Sequence, residues 1–397
     1  MSIVSVQKIK DQSYESIKAT VDQVIADIGG LEDIIQPGNK VMIKPNLVAC
    51  PTERLSGGVT RWEVCLAIYE AVQAVGGVPF IAESSAAGAD TELTIEKCGY
   101  QDLRDRGIPV IDLKNKENPK CSMSVDGGII YDKIDTWELV RDTDVFITVP
   151  VMKTHDQTEV TLGMKNMKGL LGDIQKKDFH KKGVIEGVVD WCAVLKPSLE
   201  IVDGTFGQQG LGPIFGETKQ MDLIIGSKDL VACEAVTGKI MGYEPEEVMI
   251  TKAAYRRGLG EMYLDKIEVI GKQINEVASR FKRSSEVTIE GIPSSFRLIF
   301  SKDACTACHN TVLSALMDMK AQDLFPYLEN MNVVVGPCTK EDLPEDATAE
   351  NTVCIGICAK PISEELGLRF VVGCPPGNVD VVKGILGGRC EYGVRYA

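Results

Sequence analysis

The sequence predicts an α/β fold: a mostly parallel, doubly wound sheet, followed by a second, smaller α/β domain that carries clustered cysteines. Three observations predict it. Short apolar runs alternate with helical periodicity through the first two-thirds of the chain. Those runs end in Lys, Asn, Ser, Asp or Gly, and an open parallel sheet binds ligands outside the carboxyl ends of its strands. Near residues 273–297 the periodicity gives way to the polar "KQINEVASRFKRSSEVTIEGIPSS", after which alternation resumes in shorter units. A boundary at about residue 290 divides the chain into 1–290 and 291–397.

The elements follow in order. "NKVMIKPNLV" reads as a buried strand ending at Pro45-Asn46. "TRWEVCLAIYEAVQAVGG" is a helix with an apolar stripe, capped by Thr60 and stopped by Gly76-Gly77. "VPFIAESS" and "IPVIDL" are strands, and "TDVFITVPVMKTH" is a strand running into a polar loop. "PSLEIVDG" and "MDLIIGSKD" repeat the form. Between them, "VDGTFGQQGLGPIFG" reads as a glycine-rich loop able to turn backbone N–H groups onto an anion. It lacks the G-x-G-x-x-G order and a Walker lysine, so neither NAD nor ATP is supported. In the smaller domain "TACHNTVLSALMDMKAQ" and "GNVDVVKGILGG" are helices, and "MNVVVGPC", "TVCIGIC" and "LRFVVGC" are strands.

Composition narrows the function. A net charge of −14 repels a phosphate backbone, so nucleic acid is not an expected partner. Neither the opening "MSIVSVQKIKDQSYESIK" nor any later run has the apolar length of a signal or a membrane span, and the chain reads as cytoplasmic, with no membrane partner. Disulfides are rare in that compartment, so the 13 cysteines need another account. Cys50, Cys65, Cys98, Cys121, Cys192 and Cys233 are scattered and read as small packed residues. Cys305, Cys308, Cys338, Cys354, Cys358, Cys374 and Cys390 crowd into the last stretch.

Three strands of the smaller domain end alike, in "VVVGPC", "VCIGIC" and "FVVGC". As parallel neighbours they bring Cys338, Cys358 and Cys374 to one edge, where Cys305 and Cys308 open the preceding helix. A C-x2-C pair plus converging strand-end cysteines supplies four thiolates for an iron–sulfur cluster or a tetrahedral zinc. Zinc sites more often show two such pairs, and a thioredoxin-like dithiol would follow a first strand, so iron–sulfur ranks first. Any single cysteine taken alone is better read as buried. His309 is an exposed helix-start residue or an outer donor to cluster sulfur.

A basic stretch runs from Lys153 to Lys182, with seven lysines against four acidic residues. "QKKDFHKK" alone reads as a solvated helix face, but the lysines of "MKTH" and "MKNMKG" sit beside Met, Leu and Gly. Lys153, Lys165, Asn166 and Lys168 can hold a carboxylate or phosphate, with Thr154 and Thr161 adding hydroxyls. His155 is the candidate for proton transfer, and Lys153 and Lys165 join it as candidate catalytic residues. Lys44, Asn46, Glu83, Ser84, His180 and Asp203 complete the expected substrate-binding set.

"IKPNLV", the following "ES", "TDVFITVPVMKTH", "TLGMKNMKGL", "FH" and "IVDG" together resemble the bacterial and archaeal family called domain of unknown function 362, over roughly residues 41–260. "CTAC", "IGIC" and "GCPP" resemble the iron–sulfur appendage of some members, and "GCPP" is similar to a ligand segment of hydrogenase-type small subunits. The resemblance implies an association with cluster modules and with anaerobes. The dense C-x2-C-x2-C repeats of many members are missing here, so one 4Fe–4S cluster is implied rather than two. Its implied ligands are Cys305, Cys308, Cys358 and Cys374, with Cys338 and then Cys354 in reserve.

Three functions stand in order. The first is an iron–sulfur oxidoreductase acting on a small anionic substrate in the lysine-rich cleft. The second is a non-redox lyase, hydratase or isomerase with iron as Lewis acid. The third is a non-catalytic electron-transfer or cluster-carrier protein. A ferredoxin-like electron donor and a homodimer stay open as partners.

Overall fold

In the computed structural model, which describes residues 1–392, the chain divides into two units. One gathers residues 1–176 and 185–281, and the other residues 177–184 and 282–392.

The first unit is built on a ten-stranded sheet. Its strands are β1 (Ser2–Lys8), β2 (Lys40–Pro45), β3 (Val78–Glu83), β4 (Val110–Asp112), β7 (Val145–Val149), β8 (Val151–His155), β9 (Glu159–Thr161), β10 (Leu199–Leu211), β11 (Phe215–Ser227) and β12 (Ile267–Gly271). A separate hairpin pairs β5 (Lys120–Ser124) with β6 (Lys133–Trp137). The order across the main sheet is β12-β1-β11-β10-β7-β2-β3-β4, with β8 and β9 branching from β10. The run from β10 to β4 is parallel, as the alternation of strands and helices predicts. Strands β2 and β7 are buried almost throughout because helices cover both faces. The helices Tyr14–Asp27 and Trp62–Ala74 pack Ile17, Val21, Val24, Val64 and Ile68 against β2, β3 and β7.

Successive strands step from β2 to β3 and β4 on one side, and the chain then returns to β7 on the other. The carboxyl ends of β2 and β7 therefore flank the point where strand order reverses, which is where open α/β sheets form their crevice.

Three local expectations are corrected. "VMKTH" is not a loop but strand β8, which pairs with both β9 and β10. "VDGTFGQQGLGPIFG" is likewise no anion loop. It forms the far half of β10 and the turn into β11, an antiparallel hairpin with partners from Glu200↔Ser227 to Leu211↔Phe215. Its glycines serve close approach: a Cβ on Gly207 would stand 2.7 Å from Met152 O and 3.0 Å from the Phe281 ring. Arg61, not Thr60, is the N-cap of Trp62–Ala74, and no side chain caps it. Thr60 Oγ1 instead joins two strand ends, accepting from Asn46 N at 2.8 Å and donating to Val149 O at 2.7 Å.

The second unit holds a parallel four-stranded sheet, β13 (Arg297–Phe300), β14 (Asn332–Val335), β15 (Thr352–Ile355) and β16 (Arg369–Val371), in that order. The helix Thr306–Ala321 lies between β13 and β14 in sequence, and Asn378–Leu386 follows β16. Among the described residues, no helix is long and apolar enough to cross a membrane.

Candidate functional site

The lysine-rich sequence forms a buried polar network at the β2/β7 crevice. Lys44, at the end of β2, is fully buried and donates to Glu83 Oε2 (2.8 Å), Pro45 O (2.6 Å) and Asn166 Oδ1 (3.3 Å). Glu83 also accepts from Leu47 N (2.8 Å) and Ser84 N (2.7 Å), so its carboxylate ties β3 to the loop after β2. Asn166 spends its amide on Lys44 O and Thr148 Oγ1 and accepts from Asn46 Nδ2. Gly169 lies so close to the Lys44–Glu83 pair that a Cβ would collide with both side chains. The glycine of "MKNMKG" thus admits the turn to the ion pair.

Lys153 points from β8 and is fully buried, donating to Asn46 Oδ1 (3.0 Å) and Gly58 O (2.6 Å). Burial, followed by the Lys165 charge, pulls its pKa down to about 7. Its register partners are Thr161 on β9 and Gln208 on β10, both buried. Thr161 Oγ1 and Gln208 Oε1 have no hydrogen-bond partner. Thr154, by contrast, is consumed by the sheet, donating to Gly210 O at 2.8 Å.

Lys165 Nζ lies 3.0 Å from His155 Nε2. Burial lowers the lysine to about 8. Burial, then the Lys165 charge, lowers His155 to about 4, so at neutral pH the imidazole is uncharged. Gln157 N–H donates to His155 Nδ1 at 2.9 Å, and Asp156 Oδ1 lies 2.8 Å from the same nitrogen. Lys168 is buried and also held well below its usual pKa, first by burial and then by Lys165 and Lys176.

Several contributors escape the sequence reading. Lys176, in the run taken for a solvated face, is 5% exposed and donates to Ser84 O (2.5 Å), Ser84 Oγ (2.8 Å) and Ser85 O (2.5 Å). Burial lowers it to about 7. Glu200 and Glu234 grip the start of the short helix Gly163–Asn166: Glu200 Oε1 accepts Gly163 N–H and Glu234 Oε1 accepts Met164 N–H, each at 2.8 Å. Burial raises both carboxyls, Glu234 to about 7. A lone Glu inside each of the apolar runs "SLEIV" and "LVACEAV" was the available signal. Asp203 has a structural duty, accepting Arg61 N–H at 2.8 Å and Thr205 Oγ1–H at 2.6 Å. His180 groups with the second unit.

In that second unit, four cysteines meet at the carboxyl ends of the parallel strands. Cys305 is the N-cap of Thr306–Ala321, and Cys308 lies one turn in. Cys358 follows β15 and Cys374 follows β16. Cys305 is lowered to about 6 by a hydrogen bond from Cys308 and by the backbone N–H groups of Cys308 and Ala307 at the helix start. Cys308 is pushed up by that same bond, by burial, and by the fields of Cys305, Cys374 and Cys358. Gly356, at φ 86°, brings the β15 turn against this thiol: a Cβ there would stand 2.7 Å from Cys308 Sγ. Ile357 N donates to Gly373 O at 3.0 Å, joining the Cys358 and Cys374 loops. Cys374 N donates to His180 O (2.9 Å), and Cys374 O accepts from Val184 N (3.2 Å).

Cys305, Cys358 and Cys374 are exposed, unusual for free cysteine. Cys338 and Cys354 instead pack in an apolar cluster with Val334, Ala359, Ile362 and Leu368. His309 lies 4.9 Å from the Phe300 ring, the two planes tilted by 51°. Among the described residues, no three His, Cys, Asp or Glu side chains already converge on one ion position.

The sequence profile of the family described as Domain of unknown function (DUF362) matches residues 41–239. Thylakoid-associated protein sll1697 of Synechocystis sp. is 30% identical over 270 residues, which cover 65% of this chain and 80% of that protein. The structure of the lactate racemase apoprotein from Thermoanaerobacterium thermosaccharolyticum overlaps with a TM-score of 0.37 and 14% identity, over 59% of this chain and 57% of that one.

Proposed function

The chain belongs to the DUF362 family, and from that premise we propose that it is an iron–sulfur oxidoreductase acting on a small anionic substrate. The observation that carries the proposal is the meeting of Cys305, Cys308, Cys358 and Cys374 at one sheet edge, three of them exposed. Four thiols at one edge suit iron–sulfur, and a four-iron cluster spreads its thiolates over its corners rather than onto one centre. Cys305 is the readiest ligand, since the helix start already favours its thiolate. When bound, a 4Fe–4S cluster supplies electrons one at a time.

The residues of the first unit bind the anion and manage its protons. Lys153 and Lys165 neutralise the anionic group, and Thr161 Oγ1 is free to donate to it. Lys165, lowered by burial to about 8, and His155, lowered to about 4, lie 3.0 Å apart and pass a proton to or from the substrate. That same pair favours a second reading, a non-redox lyase or isomerase that abstracts a proton beside a carboxylate.

The deciding experiment is iron and acid-labile sulfide analysis of anaerobically purified protein, with EPR before and after dithionite. About four of each per chain, lost in a Cys308→Ser/Cys374→Ser variant, supports the cluster. A reduced-state spectrum that changes on anion binding supports redox use. An unchanged spectrum with catalysed solvent-proton exchange into the anion moves the reading to the lyase or isomerase. Zinc in place of iron sinks the redox reading.

A further inference from the structure

We propose that Cys305 and Cys308 form a dithiol that, in the cluster-free chain, reduces the disulfide of a peptide. The inference concerns two of the four cysteines read above as cluster ligands, and these thiols cannot hold iron and exchange at once.

The order of elements is the first support. A redox C-x2-C pair sits where the strand of a βαβ unit runs into its helix. β13 is such a strand: it shortly precedes Cys305, pairs in parallel with β14, and is joined to it through the helix Thr306–Ala321, which Cys305 caps. The sequence pattern hides β13, and without it a dithiol ranks behind iron–sulfur. The second support is the contact between the sulfurs. Cys308 Sγ–H donates to Cys305 Sγ, which also accepts from the backbone N–H groups of Cys308 and Ala307. Those N–H groups steady negative charge on Cys305 when it attacks or leaves.

Unequal access is the third. Cys305 is exposed, whereas Cys308 is half-buried under the turn after β15, where a Cβ on Gly356 would stand 2.7 Å from its sulfur. Cys305 can therefore meet a bulky disulfide, while Cys308 is placed to meet Cys305. Phe300 at the end of β13, Ile357 beside Cys358 and Val372 after β16 are exposed at the same carboxyl edge of the sheet. Apolar side chains beside the thiols suit a peptide better than a small charged disulfide.

The exchange balances without another reactant. The Cys305 thiolate attacks one sulfur of the substrate, the substrate S–S bond breaks, and one half leaves as thiolate. Cys308, its proton given to solvent, then attacks Cys305 Sγ, and the second half leaves as thiolate. Two thiols of the chain are oxidised to one disulfide, one substrate disulfide is reduced to two thiols, and the chain's two protons go to the departing thiolates.

The test mixes the reduced, chelator-treated full chain with insulin and, separately, with oxidised glutathione at pH 8 under argon. Iodoacetamide then blocks the remaining thiols, and peptide mapping by mass spectrometry locates each bond. Expected is a bond between Cys305 and Cys308, one for each substrate disulfide reduced, with insulin favoured over glutathione relative to free dithiothreitol. Cys308→Ser should hold the mixed disulfide on Cys305, and Cys305→Ser should slow the reaction at least about tenfold. A first bond from Cys308 to Cys374, or between Cys358 and Cys374, overturns the dithiol, and the wild-type map decides this without any variant. So does a mixed disulfide held on Cys358 or Cys374. Glutathione favoured as much as insulin overturns the peptide as substrate. Iron and sulfide content judges the cluster separately, so either reading can fail while the other stands.

Discussion

Replacing Glu83 by Gln removes the carboxylate that Lys44 contacts, and the consequence can be worked from burial. Lys44 is 0% and Glu83 2% exposed, and their 2.8 Å contact is the deepest ion pair of the network. Removing one member of a buried pair leaves an uncompensated charge, at a cost of about 3–5 kcal/mol. The amide also presents a donor to Leu47 N–H, Ser84 N–H or the lysine, so one of the hydrogen bonds now made by Glu83 is lost with the charge. Trp62, Trp137 and Trp191, the only tryptophans of the chain, all lie in the first unit, so their fluorescence follows that unit during urea unfolding. A midpoint decrease on the order of 1–2 M is expected for Glu83→Gln. Adding Lys44→Met should recover most of the loss, because the stranded ammonium is gone and the methylene stem is replaced. A loss below about 1 kcal/mol for Glu83→Gln, or a double variant as unstable as the sum of its parts, would refute the reasoning.

Two further outcomes follow from the shifted groups. Burial lowers Lys153 and Lys176 to about 7 and Lys165 to about 8, so above pH 7 the unfolded chain binds more protons at these sites. Stability of the first unit should therefore rise between pH 7 and about 8.5, because three lysines outweigh the opposing raised carboxyls of Glu200 and Glu234; a flat or falling urea midpoint across that window contradicts the assignment. In metal-free protein, Cys305 should be the fastest thiol to react with iodoacetamide at pH 7, its thiolate being favoured at about 6, and peptide mapping that finds Cys338 or Cys354 modified first counts against the helix-start account.

Much of this was legible because it depends on local pattern. The parallel core, the strand ends carrying Lys44, Glu83 and Lys153, and the cysteines after β15 and β16 all follow from short apolar runs punctuated by polar residues. The errors share a cause. Lys153 and His155 were read as loop because charge outweighed the strand pattern of "VMKTH", and the glycines of β10 were read as a loop because their packing partners, Met152, Leu223 and Phe281, are distant in sequence. Thr60 has the chemistry of a helix cap, yet the opposing β7 carbonyl claims its hydroxyl.

The sequence by itself determined the α/β class, the crowding of cysteines into one sheet edge, and the concentration of lysines near the carboxyl ends of the strands. Those are consequences of periodicity and composition, which each segment carries independently of its neighbours. Only the tertiary structure decided which lysines are charged partners and which are stranded. Lys176 and Lys177 are adjacent in one run, but one is buried on Ser84 and the other faces solvent. It also decided that Cys354 packs inward while Cys358, four residues on, faces out. A side chain's pKa and partners depend on what the fold removes from water around it, and that is a property of the assembled chain rather than of any stretch of it.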